Sequence, residues 1–390
     1  MIEGYLLEWL NLLGRAIHVV AGIAWIGASF YFVWLDNHLA APADESARQR
    51  GVGGELWAVH GGGFYHAQKY LGAPPALPAT LHWFKWEAYT TLLSGLFLLG
   101  LVYYFQAGAY LVDRSVADLS APVAVASGIA WLVGGWIAYD LLCRSPLGAN
   151  DRALAVVVAL LAAAAAYALC HMFSGRAAYV HFGAILGTIM VLNVFFVIIP
   201  AQRAMVEAVA AGRAPDVARM MRARQRSVHN TYFTLPAVFA MISIHYPWAS
   251  GAKWNWLWLV AISAAGALVR AWFVARHRGR APAWMLVAAA LLLAATAYGL
   301  MPAATRDAQA IDVAQARSIA AQRCVACHSA TPRMMPAAPK GIALDDAAQL
   351  RANAALVRAQ LASRAMPPGN VTGMTEDERA ALIAWIDHGR

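Results

Sequence analysis

The sequence predicts an all-α protein in two parts, an eight-helix transmembrane bundle followed by a small helical C-terminal domain. Three observations carry this. The chain is 61% hydrophobic and only 13% charged over 390 residues, whereas a soluble domain carries about 25% charged residues. Apolar runs close to the roughly 20 residues that span a bilayer recur along the chain. After the last of them, from residue 311 onward, a more polar segment holds Cys324-Val325-Ala326-Cys327-His328.

The runs lie at 9–35, 82–106, 122–143, 153–171, 178–200, 230–249, 254–274 and 283–302. The first follows an acidic start, Glu3 and Glu8, and is too long for the core of a cleavable leader, so it reads as a span. The fourth and eighth are rich in Ala, Leu and Val and read as lipid-facing or packing helices. Two connecting loops are basic: one holds Arg203, Arg213, Arg219, Arg222, Arg224 and Arg226, the other Arg276, Arg278 and Arg280. The positive-inside rule puts both in the cytoplasm. Counting helices from them leaves the N-terminus and everything after residue 302 outside. The net charge of +9 therefore reports topology; membrane lipid is the expected surroundings, and no nucleic-acid partner is expected. The expected domains are 1–302, a membrane domain; 303–310, an Ala-rich linker; and 311–390, the C-terminal domain. Tyr89-Thr90-Thr91-Leu92 in the second run and Tyr232-Phe233-Thr234-Leu235 in the sixth hint at a 4+4 repeat.

Two thiols three residues apart, followed at once by His, form the pattern that attaches a c-type haem. Each sulfur makes a thioether with a vinyl group, and His328 is placed as the iron ligand. Further on, Arg364-Ala365-Met366-Pro367-Pro368-Gly369 precedes an apolar helix, Glu378 to His388, which suits Met366 as the sixth ligand; Met334, Met335 and Met374 are nearby. The rival is a redox or zinc CxxC pair, but no second CxxC or HxxxH completes a zinc site. The C-terminal part thus reads as a class I-type cytochrome c domain with covalent haem c. Haem attachment outside the cytoplasm agrees with the loop charges, and the expected location is a bacterial inner (cytoplasmic) membrane with this domain periplasmic. Cys143 and Cys170 lie in or at the ends of apolar segments and suggest no disulfide framework.

Ionisable groups at membrane depth are costly, which makes each a functional candidate. Arg15 and His18 share one face of the first helix, continued by Gly22 and Trp25. His18, His181 and His245 are candidate axial ligands of a buried haem b, since neutral imidazole binds iron well; the alternative for each is a hydrogen bond to a neighbouring helix. On the cytoplasmic side His82, Lys85, Trp86 and Tyr89 share a face of the second helix, with Glu87 turned away. His229 and Asn230 open the sixth helix at the same depth. The long loop from Asp36 to Leu81 contains Gly53-Gly54-Glu55-Leu56-Trp57 and His60-Gly61-Gly62-Gly63-Phe64-Tyr65-His66, and long loops of this content are more often functional than idle. Together these groups could form a polar, aromatic-lined pocket for a small planar anion. The plain alternative makes Lys85 and Glu87 interfacial anchors that snorkel to headgroups.

The span from Arg15 through His18, Gly22 and Trp25 to Gly27, the loop Val59 to Tyr65 and the Cys324–His328 module together resemble the bacterial membrane-bound urate oxidase (urate hydroxylase) family. In that family an eight-helix membrane domain is fused to a cytochrome c. More distantly, the first two helices resemble the HemJ-type protoporphyrinogen oxidases, in which a His and a Lys at the positions of His18 and Lys85 are associated with haem b. The resemblance implies oxidation of urate to 5-hydroxyisourate with water as oxygen source. It also implies electrons passing through haem to the c-haem of His328 and Met366, then to a soluble cytochrome c or a terminal oxidase. On this reading Phe64, Tyr65 or Trp86 stacks on the purine, and His60 or Glu87 takes a proton, with His82, Lys85, His229 and Asn230 around it. The rivals are another cytochrome-linked membrane dehydrogenase, acting on porphyrinogens or quinols, and a non-catalytic electron-transfer subunit. A transporter has little in its favour, because the helices lack obvious mid-span breaks.

Overall fold

A computed structural model of the chain describes residues 2–301, 311–335 and 337–388; the expected linker at 303–310 lies outside the described residues. The chain is mostly helical. It begins with the long helix α1 (Ile2–His38), then α2 (Glu45–Gln49), strands β1 (Val52–His60) and β2 (Gly63–Tyr70), and α3 (Trp86–Leu99). Helix α3 returns along α1 and runs on through a π-helical turn, Gly100–Tyr104, to α4 (Ala107–Tyr110). The bundle continues with α5 (Ala121–Arg144), α6 (Asp151–Cys170) and α7 (Gly175–Asn193), which passes through a second π turn into α8 (Ile199–Ala210). Then come α9 (Val217–Ile242), α10 (Pro247–Ser250), α11 (Asn255–His277) and α12 (Ala283–Gly299).

Among the described residues six helical stretches are long and apolar enough to cross a membrane: Tyr5–His38, Trp86–Tyr104, Ala121–Arg144, Asp151–Cys170, Gly175–Ala210 and Asn255–His277. The expected eight therefore reduce to six by this measure. The missing two have identifiable causes. The expected sixth run ends early, because α9 stops at Ile242 and gives way to a 3-10 turn and α10. Its first half carries Arg219, Arg222, Arg224 and Arg226, so no long window of it is apolar. The expected eighth is α12, apolar but only 17 residues long.

The purely α expectation also needs correcting, since residues 52–70 form an antiparallel hairpin. His60 pairs with Gly63, and the two residues between them, Gly61 (φ 56°) and Gly62 (φ 80°), are both left-handed. A two-residue hairpin turn with positive φ at both positions matches the strand twist and strongly favours glycine. The hairpin is tied to the end of α1 by a bridge between Ala40 and Glu55 and by Lys69 Nζ donating to Asp36 at 2.9 Å.

The centre of the bundle is α7, which packs against α3, α5, α6 and α9 and carries the fully buried Tyr179, His181, Val191 and Asn193. After the bundle the C-terminal domain comprises α13 (Val313–Arg323), α14 (Ala347–Ala352), α15 (Ala354–Ala362) and α16 (Glu376–His388), around Leu350, Leu361, Met374, Leu382 and Trp385. This domain rests on the membrane part: Arg364 Nη1 donates to the Gly251 carbonyl at 2.9 Å. Gly369, at φ 55°, sits so close that a Cβ there would lie 2.8 Å from the carbonyl oxygens of both Ala109 and Val112. Gly251 and the Arg276–Arg280 segment flank opposite ends of α11, so the domain docks on the face away from that basic loop.

Candidate functional site

The Cys324–His328 segment forms a tight turn at the end of α13. The Cys327 and His328 amides donate to the Cys324 carbonyl at 3.1 and 2.8 Å, which winds the two thiols and the imidazole onto one turn. Both cysteines are free. Burial pushes the Cys324 thiol up to about 11, and burial raises Cys327 as well. His328 Nδ1 lies 3.1 Å from the Ile342 carbonyl. With Nδ1–H donating there, Nε2 keeps its lone pair, the arrangement that orients a metal-binding imidazole. Met366 lies half-buried on a loop pinned by Arg379, whose Nη1 donates to the Met366 carbonyl at 2.6 Å and the Leu361 carbonyl at 3.2 Å. Among the described residues no three His, Cys, Asp or Glu side chains cluster as a metal site. The donor set therefore fits a covalently held haem better than a bare ion, with Cys324 and Cys327 as attachment points and His328 as iron ligand.

The three membrane histidines differ sharply. His18 Nδ1 lies 3.0 Å from the Thr91 carbonyl and 3.1 Å from Ser94 Oγ on α3. That fixes the ring and leaves Nε2 uncommitted, as an iron ligand requires. Gly95 makes room for it, since a Cβ there would lie 3.0 Å from His18 Cε1. His181 has both nitrogens engaged, Nδ1 with the Ala177 carbonyl at 2.8 Å and Nε2 with Tyr104 Oη at 3.2 Å. It is a fully buried ring held among Tyr103, Tyr104 and Phe173. His245 is exposed on the turn after α9. Of the three, His18 fits a haem b ligand.

The residues expected around a cytoplasmic pocket fall into three groups; no hydrogen bond or ion pair joins the groups among the described residues, and the second meets the third only through a chain of rings, Trp86 to Tyr89, Phe195, Phe196, Trp136 and Tyr139. His60, Phe64 and Tyr65 occupy the hairpin tip, where Phe64 is 80% exposed. Deeper in the hairpin His66 stacks on Trp57, ring centroids 4.1 Å apart, and meets Glu55 at 2.9 Å. The Ala43 amide first, then His66 and Gln68, hold the Glu55 carboxyl below the usual carboxylate range. The second group opens α3. His82 lies edge-on to Phe84, and Lys85 Nζ sits 5.3 Å from the ring centre of Trp86, itself well exposed. Glu87 points inward, and its Oε2 is buried without a hydrogen-bond partner.

His229 and Asn230 belong to the third group, a polar network between α5, α7 and α9. Tyr139 Oη lies 2.7 Å from His229 Nδ1. Asn193 Nδ2 donates to Tyr139 Oη and to Asn230 Oδ1, at 3.2 and 2.9 Å, and Asn230 Nδ2 donates to the Met190 carbonyl at 2.9 Å. Arg226 closes it, its Nη2 donating to Asp140 Oδ1 at 2.7 Å, with its Cζ 4.9 Å from the Tyr139 ring centre. Beside Tyr139 an apolar cleft of about 420 Å³ runs between α5, α6 and α7, walled by Trp131, Met172, Phe182 and Phe233. The sequence passes over Tyr139, Asp140 and Asn193 and reads Arg226 only as part of a basic loop, whereas it lies within α9. The available signal was Asp140, an acid inside the third apolar run.

Comparison with known proteins identifies a family. Residues 4–301 match the family described as urate oxidase N-terminal. No curated protein and no solved structure matches the chain. The match takes in the hairpin and the whole helical bundle through α12, more than half of the 390 residues, and the chain therefore belongs to the urate oxidase N-terminal family.

Proposed function

We propose that the protein is a membrane-bound urate oxidase that converts urate to 5-hydroxyisourate and hands the electrons to its own cytochrome c domain. The observation that carries the reading is the family match over residues 4–301, joined here to a C-terminal domain built around Cys324-Val325-Ala326-Cys327-His328. The overall step takes urate and one water to 5-hydroxyisourate, two protons and two electrons. Bound haem, covalent at Cys324 and Cys327 and of b type at His18, supplies one-electron acceptors.

The chain's own residues do the rest. Urate enters from the cytoplasmic side. Glu87, with a buried carboxylate oxygen left unpartnered, receives a proton from the substrate, and the Lys85 ammonium at the same helix start adds positive charge. His18 is held by Thr91 and Ser94 within the α1–α3 pair, which positions its ring for the b-type centre. Near the outer face, Ser174 Oγ donates to the Tyr110 carbonyl at 2.7 Å and Phe173 lies against His181. Van der Waals contact thus continues from the bundle interior toward Ala109 and Val112, against which Gly369 of the Met366 loop is packed. A soluble cytochrome c or a terminal oxidase accepts the electrons outside the inner membrane.

The test is anaerobic. Urate is added to purified protein under argon, and the reduced c-haem band is followed together with 5-hydroxyisourate. Reduction with product and without peroxide is expected. A haem that dithionite reduces but urate does not would overturn the assignment and turn attention to porphyrinogens and quinols.

A further inference from the structure

Arg270 is the least explained charged residue in the bundle. It lies on α11, 5% exposed, and its Nε and Nη2 atoms are buried with no hydrogen-bond partner. No carboxylate forms an ion pair with it among the described residues. The side chain packs at the junction of α1, α9 and α11. Its Cζ lies 3.7 Å from the ring centre of Phe30 on α1. One turn back, Gly266 lets α11 close on α9, since a Cβ there would lie 3.1 Å from Leu235 Cβ.

A buried unpaired charge is costly, and a cation–π contact is worth far less than the hydration it replaces. Such a residue inside a membrane domain marks a ligand site by default. The two unpartnered atoms give the ligand's shape. Nε–H and Nη2–H lie on the same edge of the guanidinium and point in parallel, a fork that matches two adjacent acceptors on a planar anion. We propose that Arg270 anchors the substrate, urate bound as its planar monoanion, with a ring carbonyl oxygen and the neighbouring deprotonated nitrogen accepting the two N–H groups. This rests on the urate oxidase reading above and gives that site its anion-binding residue.

Position supports this occupant. Arg270 lies seven residues before His277, about 10 Å from the end of α11 at 1.5 Å per residue. The His277 and His38 rings meet at that end, centroids 5.0 Å apart. Arg276, Arg278 and Arg280 follow directly, and a basic rim raises the local concentration of anions. The competing occupant is a haem carboxylate. Phe30, against which Arg270 rests, lies twelve residues beyond His18 on α1, about 18 Å along the axis. A haem with its iron on His18 would leave its propionates short of the guanidinium.

The experiment is anaerobic equilibrium dialysis of radiolabelled urate against the full-length protein in nanodiscs, reduced beforehand with dithionite so that urate binds without being oxidised, for wild type, Arg270→Lys and Arg270→Met. Haem content and thermal midpoint are measured on the same samples. Two charge-assisted hydrogen bonds are at stake, so Arg270→Met is expected to bind urate at least about 100-fold more weakly. Arg270→Lys should fall between, because an ammonium keeps the charge without the fork. Haem content should stay at wild-type level and the thermal midpoint should not fall, since the guanidinium has no hydrogen-bond or ion-pair partner to lose among the described residues. Wild type that binds urate while Arg270→Met binds it equally well overturns the Arg270 assignment alone. Arg270→Met that loses haem and keeps urate affinity overturns it in favour of a propionate. Wild type that binds no urate overturns the urate reading and the assignment together.

Discussion

Arg364 donates Nη1 to the Gly251 carbonyl at 2.9 Å, which ties the Met366 loop of the C-terminal domain to the end of the helical bundle that precedes α11. The same guanidinium pairs with Glu376 at 2.7 Å, so one side chain joins the docking loop, its own domain and the bundle. Five residues on, Gly369 fills the remaining space against Ala109 and Val112. Docking is thus specified on the loop that also carries the expected sixth haem ligand.

Arg364→Ala should slow urate-driven reduction of the c-haem about fivefold, the value of one ordinary hydrogen bond, and leave ascorbate reduction untouched. Gly369→Val should slow it much more, because a β-branched side chain combines a left-handed backbone with a direct clash. Stopped-flow absorbance with the two reductants separates the effects. Equal slowing with both would mean damage to the C-terminal domain and no role in docking.

The histidines should separate by haem content. His18→Ala is expected to lose the b-type haem as read by the pyridine haemochrome. His181→Ala should retain it, because both nitrogens of His181 already have protein partners. Removing that fully buried ring should still lower stability, by about 3 kcal/mol as for other large-to-small changes in a packed core. Full b-haem in His18→Ala would remove the ligand assignment.

What was legible in the sequence depended on the physics being local. The CxxCH turn needs only neighbouring residues, and its hydrogen bonds at Cys324 follow from that spacing, whereas the ring of His328 is oriented by the Ile342 carbonyl fourteen residues away. Span counting departs from the six long apolar helices where hydrophobicity alone does not set the element. The start of α9 is helical through Arg222 and Arg226, capped by Asp216, and Arg226 meets its counter-charge only in Asp140 of another helix, which no window along the chain reveals. The Gly61-Gly62-Gly63 run read as loop, yet two of its glycines serve a hairpin turn whose strands are set by cross-strand pairing. His229 and Asn230 were visible, but their partners Tyr139 and Asn193 lie far off in sequence. The unpaired state of Arg270 appears only once α1, α9 and α11 are packed.

The Asp140–Arg226 pair makes a stability prediction. Asp140→Ala leaves a nearly fully buried guanidinium, and removing one partner of a buried pair costs about 3–5 kcal/mol. The thermal midpoint of the solubilised bundle should fall accordingly. Arg226→Met in the Asp140→Ala background should recover much of the loss, because the stranded charge is then gone. If the double variant is no more stable than Asp140→Ala, desolvation of Arg226 is not the cause.

The last prediction concerns pH. Arg323 Nε and Nη2 fork onto Glu378 at 2.9–3.1 Å, and Nη1 donates to the Thr372 carbonyl, joining α13 to α16 around the CxxCH turn. Partial burial alone would raise the Glu378 carboxyl, but Arg323 and the Thr375 amide outweigh it and hold it below its ordinary value. A carboxyl depressed in the folded state stabilises the domain above its unfolded value of about 4.3, and that contribution is lost as pH falls through the folded value. Hydrogen exchange read by mass spectrometry on α13 and α16 should therefore show protection falling in acid below about pH 4.5. Glu378→Gln should start from lower protection at neutral pH and show a shallower acid slope. If the slope is the same in both proteins, the acid sensitivity lies elsewhere. Asp345 is then the next group to test, because the Ser329 hydroxyl and the Ala330 amide hold it low as well.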